Sequence, residues 1–190
     1  MKNRLATFMT VLLVLAAAGS LRPAIAQDNS PTNPAAIGSR VRSMIELGSV
    51  YSNIYDIAIT VQETVRGEEA LKRLKAASPD NKEPAEDFEY VLAKVKFEIK
   101  GRTVSDTLSM AIGDAPLQWV ALSSELIEYP MVSLTAPKPQ LVGRVKSGDS
   151  LEGWVAFAVD SKDSKPVMVF DPDTGGATGR GRTLFFKLYQ

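Results

Sequence analysis

Alternation of apolar and polar positions dominates the chain from about residue 55 onward. Tyr55, Ile57, Ile59 and Val61 alternate with Asp56, Ala58, Thr60 and Gln62. Val91, Ala93, Val95, Phe97 and Ile99 interleave with Leu92, Lys94, Lys96, Glu98 and Lys100, the cleanest run in the chain. Val104, Leu108 and Met110 share one parity, broken by Asp106. Val155, Phe157 and Val159 form a further set, followed by Val167 to Phe170 and by Leu184, Phe186 and Leu188. A period of two sends one set to a buried face and the other toward water, as in antiparallel sheet. Turn signals separate the runs at Lys100-Gly101, Ser147-Gly148-Asp149, Ser161 to Ser164 and Asp171 to Gly181. Several short strands so spaced predict an all-β fold, an antiparallel β-sandwich.

One segment changes period. Ala70, Leu71, Leu74 and Ala77 recur at helical spacing, after Gly67 and before Pro79. Glu68 and Glu69 sit at the positive end of the helix dipole, with Lys72, Arg73 and Lys75 toward the other end. Glu68 with Lys72, and Glu69 with Arg73, are i,i+4 pairs in the favoured order. A short helix is predicted near residues 68–77, inserted between two strands, with an acidic loop from Asp80 to Asp87 behind it.

The beginning of the chain follows neither period. Lys2 and Arg4 precede an apolar run from Phe8 to Ala18, which Arg22 and Pro23 interrupt before Ala24-Ile25-Ala26. This is the pattern of a secretory signal peptide, residues 1–26, with cleavage after Ala26. The apolar run is short against the roughly 20 residues a membrane-spanning helix needs. No stable membrane insertion is expected after cleavage. Residues 27–38 are rich in Asn, Ser, Pro and Ala and read as a flexible tether. One β-domain is then expected over residues 39–190.

Composition narrows the chemistry. Of 22 basic and 22 acidic residues, the segment 1–26 holds Lys2, Arg4 and Arg22 and no acid, leaving a formal charge near −3 (19 − 22). That balance argues against general affinity for nucleic acid or anionic lipid. Cysteine is absent, so a lipid-carrying cysteine cannot follow the signal, and stability must come from the core. Histidine is absent too, which removes Ser-His-Asp and Cys-His catalysis and imidazole metal sites.

Four constellations remain. Asp171-Pro172-Asp173-Thr174-Gly175-Gly176 resembles the start of a calcium loop, with Asp171 and Asp173 as hard oxygen ligands. The twelfth position holds Arg182 where a calcium loop wants a glutamate, and a hairpin loop of turn formers accounts for the same residues. Glu83, Glu86, Asp87 and Glu89 offer paired carboxylates of the kind glycosidases use, or simply a solvated loop. Ser147 lies beside Lys146, but neighbours in a turn point apart, and no G-x-S-x-G pattern occurs. Trp154 has the parity opposite to Val155, Phe157 and Val159, alongside Ala156 and Ala158. If the valine set faces the core, Trp154 and Ala156 form a shallow apolar platform, with Trp119 and Tyr129 on the same surface. The alternative is that the helix or a loop covers Trp154.

Longer stretches carry a resemblance. Val65-Arg66-Gly67-Glu68-Glu69-Ala70, Asn81-Lys82-Glu83-Pro84 and Glu89-Tyr90-Val91-Leu92-Ala93-Lys94-Val95 resemble a bacterial family of exported immunoglobulin-like domains of unknown function. That family is related in fold to a secreted mycobacterial immunoprotective antigen. Gly148-Asp149-Ser150-Leu151-Glu152-Gly153-Trp154-Val155-Ala156-Phe157 is similar to its G-x-S-x-x-G-W-V-x-F strand. Lys165-Pro166 and the run from Arg182 to Leu188 also fit, so the resemblance covers about residues 34–190. It departs at the missing lipoprotein cysteine and at Leu71, where members often place Trp. The resemblance implies an immunoglobulin-like sandwich and export, and no reaction. The resulting expectation is a non-catalytic binding domain without a cofactor, whose partner is a protein or an envelope polysaccharide. A calcium-stabilised structural domain and a carboxylate-dependent glycan hydrolase stand as alternatives.

Overall fold

The structure, a computed structural model, describes residues 29–48, 53–102, 108–113, 117–172 and 179–190. Among the described residues, ten strands and one helix follow in chain order. The first five are β1 (Arg40–Leu47), β2 (Asn53–Arg66), α1 (Glu68–Ala77), β3 (Phe88–Gly101) and β4 (Ser109–Ile112). Then come β5 (Trp119–Leu122), β6 (Gly143–Lys146), β7 (Ser150–Asp160), β8 (Val167–Phe170), β9 (Gly179–Gly181) and β10 (Leu184–Lys187). The fold is all-β apart from α1, and all strand pairings between these elements are antiparallel.

The long strands build a five-stranded sheet in the order β7-β3-β2-β1-β9. A three-stranded sheet, β10-β8-β5, and a two-stranded one, β4-β6, complete the framework. Alternation does what it predicts. Ile57, Ile59, Val95, Phe97 and Val159 leave one face of the large sheet and pack with Met168, Phe170 and Phe186 of the three-stranded sheet and Met110, Ile112 and Val145 of the two-stranded one. All three sheets thus share one core, with the Phe97 and Phe170 rings 5.7 Å apart between centroids. Val104 and Asp106 lie outside the described residues.

Parity switches once, and the switch positions the helix. A bulge between Val61 and Glu63 on β2 shifts the register against β3 by one residue. Val65 therefore leaves the face shared by Val61 and packs in the cluster under α1, on the opposite face. At Gly67, φ is +68°, a left-handed conformation that glycine adopts without penalty, and the chain turns there into α1. Ala70 and Leu74, both fully buried, seat the helix on Tyr90, Leu92, Trp154 and Ala158. Of the two anticipated i,i+4 pairs, Glu69–Arg73 forms an ion pair at 2.9 Å.

The segment before β1 is placed differently from the expected tether. Asn29 donates from its amide to the Phe185 carbonyl at 2.7 Å and accepts from the Phe185 N–H at 2.8 Å. Ala35 forms a parallel bridge to Phe186, donating to the Phe185 carbonyl and accepting from Lys187 N–H, each at 2.9 Å. Ala35 and Ile37 pack against the core. Asn29 and Ala35 thus tie the segment to β10, and Gly38 donates to the Val61 carbonyl of β2 at 2.7 Å. The segment's polar composition hid this because the docking relies mainly on main-chain and amide hydrogen bonds.

Candidate binding cleft

Trp154 has the predicted parity, and its surroundings decide the rest. It lies opposite Val155, Phe157 and Val159, but α1 covers that face and leaves Trp154 only 9% exposed. The Arg73 guanidinium stands over the indole at 5.5 Å, a cation–π contact. Of the two readings weighed for Trp154, an open platform or a cover, the structure has the cover: the helix packs over Trp154 in place of an open platform.

What remains accessible lies beside β7, at the edge of the sheet. A cleft of about 280 Å³ opens there, walled by Trp154 to Ala158 on one side and by Trp119 to Ala121 of β5 on another. Tyr129 to Ala136, a stretch without regular structure, and Gln140 to Val142 close the remaining sides. Trp119, Tyr129, Trp154 and Ala156 are thus brought around one cavity, Trp154 as a wall buried under the helix. Among the described residues the lining contains no charged side chain. Leu117, Met131, Val132 and Val142 line it while remaining 43%, 58%, 39% and 49% exposed. Exposed apolar side chains gathered at a concavity mark a surface for another molecule.

Three devices shape this cleft. At Gly153 an added Cβ would stand 2.3 Å from the Gln140 carbonyl carbon, so only glycine lets the 139–141 backbone lie against β7. There Trp154 donates to the Pro139 carbonyl at 2.8 Å and accepts from Leu141 N–H at 3.0 Å, a parallel bridge. Asn81, 3% exposed, donates to the carbonyls of Leu74 and Thr135 at 2.7 and 2.9 Å and accepts from Thr135 N–H at 2.8 Å. It ties the end of α1 to the irregular stretch. Gln118, fully buried, donates to the Ala111 carbonyl at 3.1 Å and accepts from Gly113 N–H at 2.8 Å, holding β4 to the start of β5.

Tyr129 is fixed from the far end. Its hydroxyl donates to Asp163 Oδ2 at 2.7 Å. Burial, and then the Asp163 carboxylate, push the phenol above its ordinary range. Burial alone would raise the Asp163 carboxyl. Hydrogen bonds from Lys165 N–H, the Tyr129 hydroxyl and Ser124 N–H outweigh it and hold the group below its usual value. Trp119 packs on Phe170, centroids 4.7 Å apart, and its Nε1–H is buried without an acceptor among the described residues.

The other candidate residues lie away from the cleft. Glu83, Asp87 and Glu89 pair separately with Lys75, Lys162 and Arg66. Glu86 is exposed on the same loop. The three paired acids stand as separate ion pairs, and none of the four lines the cleft. Ser147 Oγ accepts from Gly101 N–H at 2.8 Å, a turn contact beside exposed Lys146. Asp171, partly buried at the end of β8, donates its N–H to the Gln118 carbonyl at 3.0 Å. Asp173 lies outside the described residues. Among the described residues no three Asp, Glu, His or Cys side chains come together as a metal-binding group, and no helix is long and apolar enough to cross a membrane.

No protein-family model matches the chain, and no curated protein does. Among solved structures, the chain is similar to a crystal structure described as a "putative lipoprotein" from Bacillus subtilis subsp. subtilis strain 168, at 12% sequence identity and a TM-score of 0.45. The similarity covers 69% of this chain and 36% of that one.

Proposed function

We propose that the chain is an exported, non-catalytic binding domain that grips an apolar group of its partner in the cleft beside β7. One observation carries this reading: a cavity without a charged side chain among the described residues is rimmed by four large apolar side chains that stay exposed. Such a surface is costly to leave in water unless something covers it. Among the described residues the lining offers no carboxylate, amine or serine hydroxyl, which fits binding better than acid–base or nucleophilic chemistry. The signal-like residues 1–26 support export, and the missing cysteine supports release over lipid anchoring. Three sheets around one core fit the immunoglobulin-like sandwich that the resemblance implies.

Thermal unfolding with apolar peptides, envelope polysaccharide fragments, calcium and a chelator tests the reading. A ligand present at 100 times its Kd adds about 2.7 kcal/mol of stability. An apolar ligand is expected to raise Tm, and Val142→Asp at the exposed rim is expected to cancel the shift. A shift from calcium alone, or release of reducing sugar from envelope glycan, would overturn it.

A further inference from the structure

The cleft is bounded by strand edges whose main-chain groups face into it. Trp154 uses both its N–H and its C=O on residues 139–141, on the side away from β3. Lys94↔Trp154 is therefore a non-hydrogen-bonded pair of the β3–β7 ladder, and such pairs alternate. The register is unbroken from Phe88↔Asp160 to Glu98↔Ser150, so Leu92↔Ala156 and Tyr90↔Ala158 are pairs of the same kind. The N–H and C=O of Ala156 and Ala158 consequently point out of the sheet into the cleft. Among the described residues nothing hydrogen-bonds to them there.

The opposite wall repeats the arrangement. Asp171 N–H donates to the Gln118 carbonyl, so β5 turns Gln118, Val120 and Leu122 toward β8 and Trp119 and Ala121 away from it. Ala121 accepts from Tyr129 N–H at 2.9 Å, while no partner reaches the main chain of Trp119 among the described residues.

We propose that the cleft takes an extended, uncharged, apolar segment of another polypeptide, which adds to the edge of β7 as a guest strand. This rests on the cleft being the binding site. Three observations select the occupant. The donors and acceptors of Ala156 and Ala158 repeat every second residue, about 6.6 Å apart, the spacing of a strand's own main chain. A hydrocarbon or detergent tail would bury them unpaired, leaving each without a hydrogen bond. The edge already accepts strand-like pairing one step earlier, where residues 139–141 bridge to Trp154 and then leave at Val142. The described lining carries no charge, which favours a guest with uncharged side chains. Strand addition of this kind draws affinity from main-chain hydrogen bonds and selectivity from alternate side chains.

The test titrates the full chain with a capped octapeptide of alternating valine and serine, following fluorescence of Trp119 and Trp154, the two tryptophans present. The same peptide N-methylated at alternate residues keeps its side chains and loses half its donors. Binding is expected to weaken at least tenfold on N-methylation, and likewise in Ala156→Pro, whose lost N–H serves no bond to β3. Equal affinity for both peptides would overturn strand addition and leave the apolar cleft standing. Binding of dodecyl maltoside with no binding of either peptide would do the same. If neither peptide nor detergent binds, the cleft reading falls too. A dimer at micromolar concentration that Ala156→Pro dissolves would replace the foreign segment with a second copy of this chain.

Discussion

The outer face of β3 changes character halfway along, and the two halves obey different rules. At one end Tyr90 and Leu92 lie under α1, buried with Trp154 and Ala158. At the other, Lys96, Glu98 and Lys100 continue the same parity into solvent, with Glu98 paired to Arg40 at 2.9 Å. The neighbours on β2 divide in the same way, Val65 packing toward the helix and Asp56 pairing with exposed Arg102. One strand with one alternation therefore has a half with two buried faces and a half with one. Parity assigns a residue to a face, and only the element laid over that face decides whether it is wet.

That contrast is sharpest at its largest residue. Trp154→Ala is expected to cost about 3–5 kcal/mol in denaturant unfolding, since it empties the space between α1 and the sheet. A cost below 1 kcal/mol would mean that the helix does not bear on the indole. Asn81→Leu should follow, losing about 1–3 kcal/mol because two carbonyls and one N–H are left without their buried partner. Its cleft should also bind apolar peptide more weakly, and unchanged affinity would show that Asn81 does not set the cleft's shape.

Acid should act next, at the node that holds Tyr129. The Asp163 carboxyl titrates below its unfolded value of 3.8. Its contribution is fully present above that pH and is lost as pH falls through the lower folded value. Unfolding measured between about pH 5 and 2 should lose stability progressively, and Asp163→Asn should flatten that limb. An unchanged acid limb would assign it to the carboxylates of the exposed half, where Asp56, Glu98 and Glu152 are also lowered, each chiefly by a hydrogen bond from a cationic partner. The smallest effect belongs to that half. A double-mutant cycle on Arg40 and Glu98 should give under about 1 kcal/mol, as exposed pairs do.

The same division separates what the sequence discloses from what it conceals. Strand alternation around Ile57, Phe97 and Phe186, and the helix at residues 68–77, follow from local periods that the final structure keeps. Trp154's face was legible for the same reason. Which element covers it was not, because that depends on the bulge at Gln62, which turns Val65 over, and on the left-handed Gly67. Asn81 and Gln118 look like loop polars in sequence, and their partners lie 54 and 7 residues away. The cleft rim hides for a related reason. Leu117, Met131, Val132 and Val142 belong to a stretch broken by Pro130, Pro137 and Pro139, where no period exists to read.

The docked segment before β1 also sets how the domain responds to force. Ala35 runs parallel to β10, and Asn29 clasps the main chain of Phe185 on the same strand. A pull between residues 29 and 190 meets the clasp and the bridge as its first cross-links, so it loads them before the sheets behind. The seam at β10 is therefore the element that bears tension first, ahead of the core it closes.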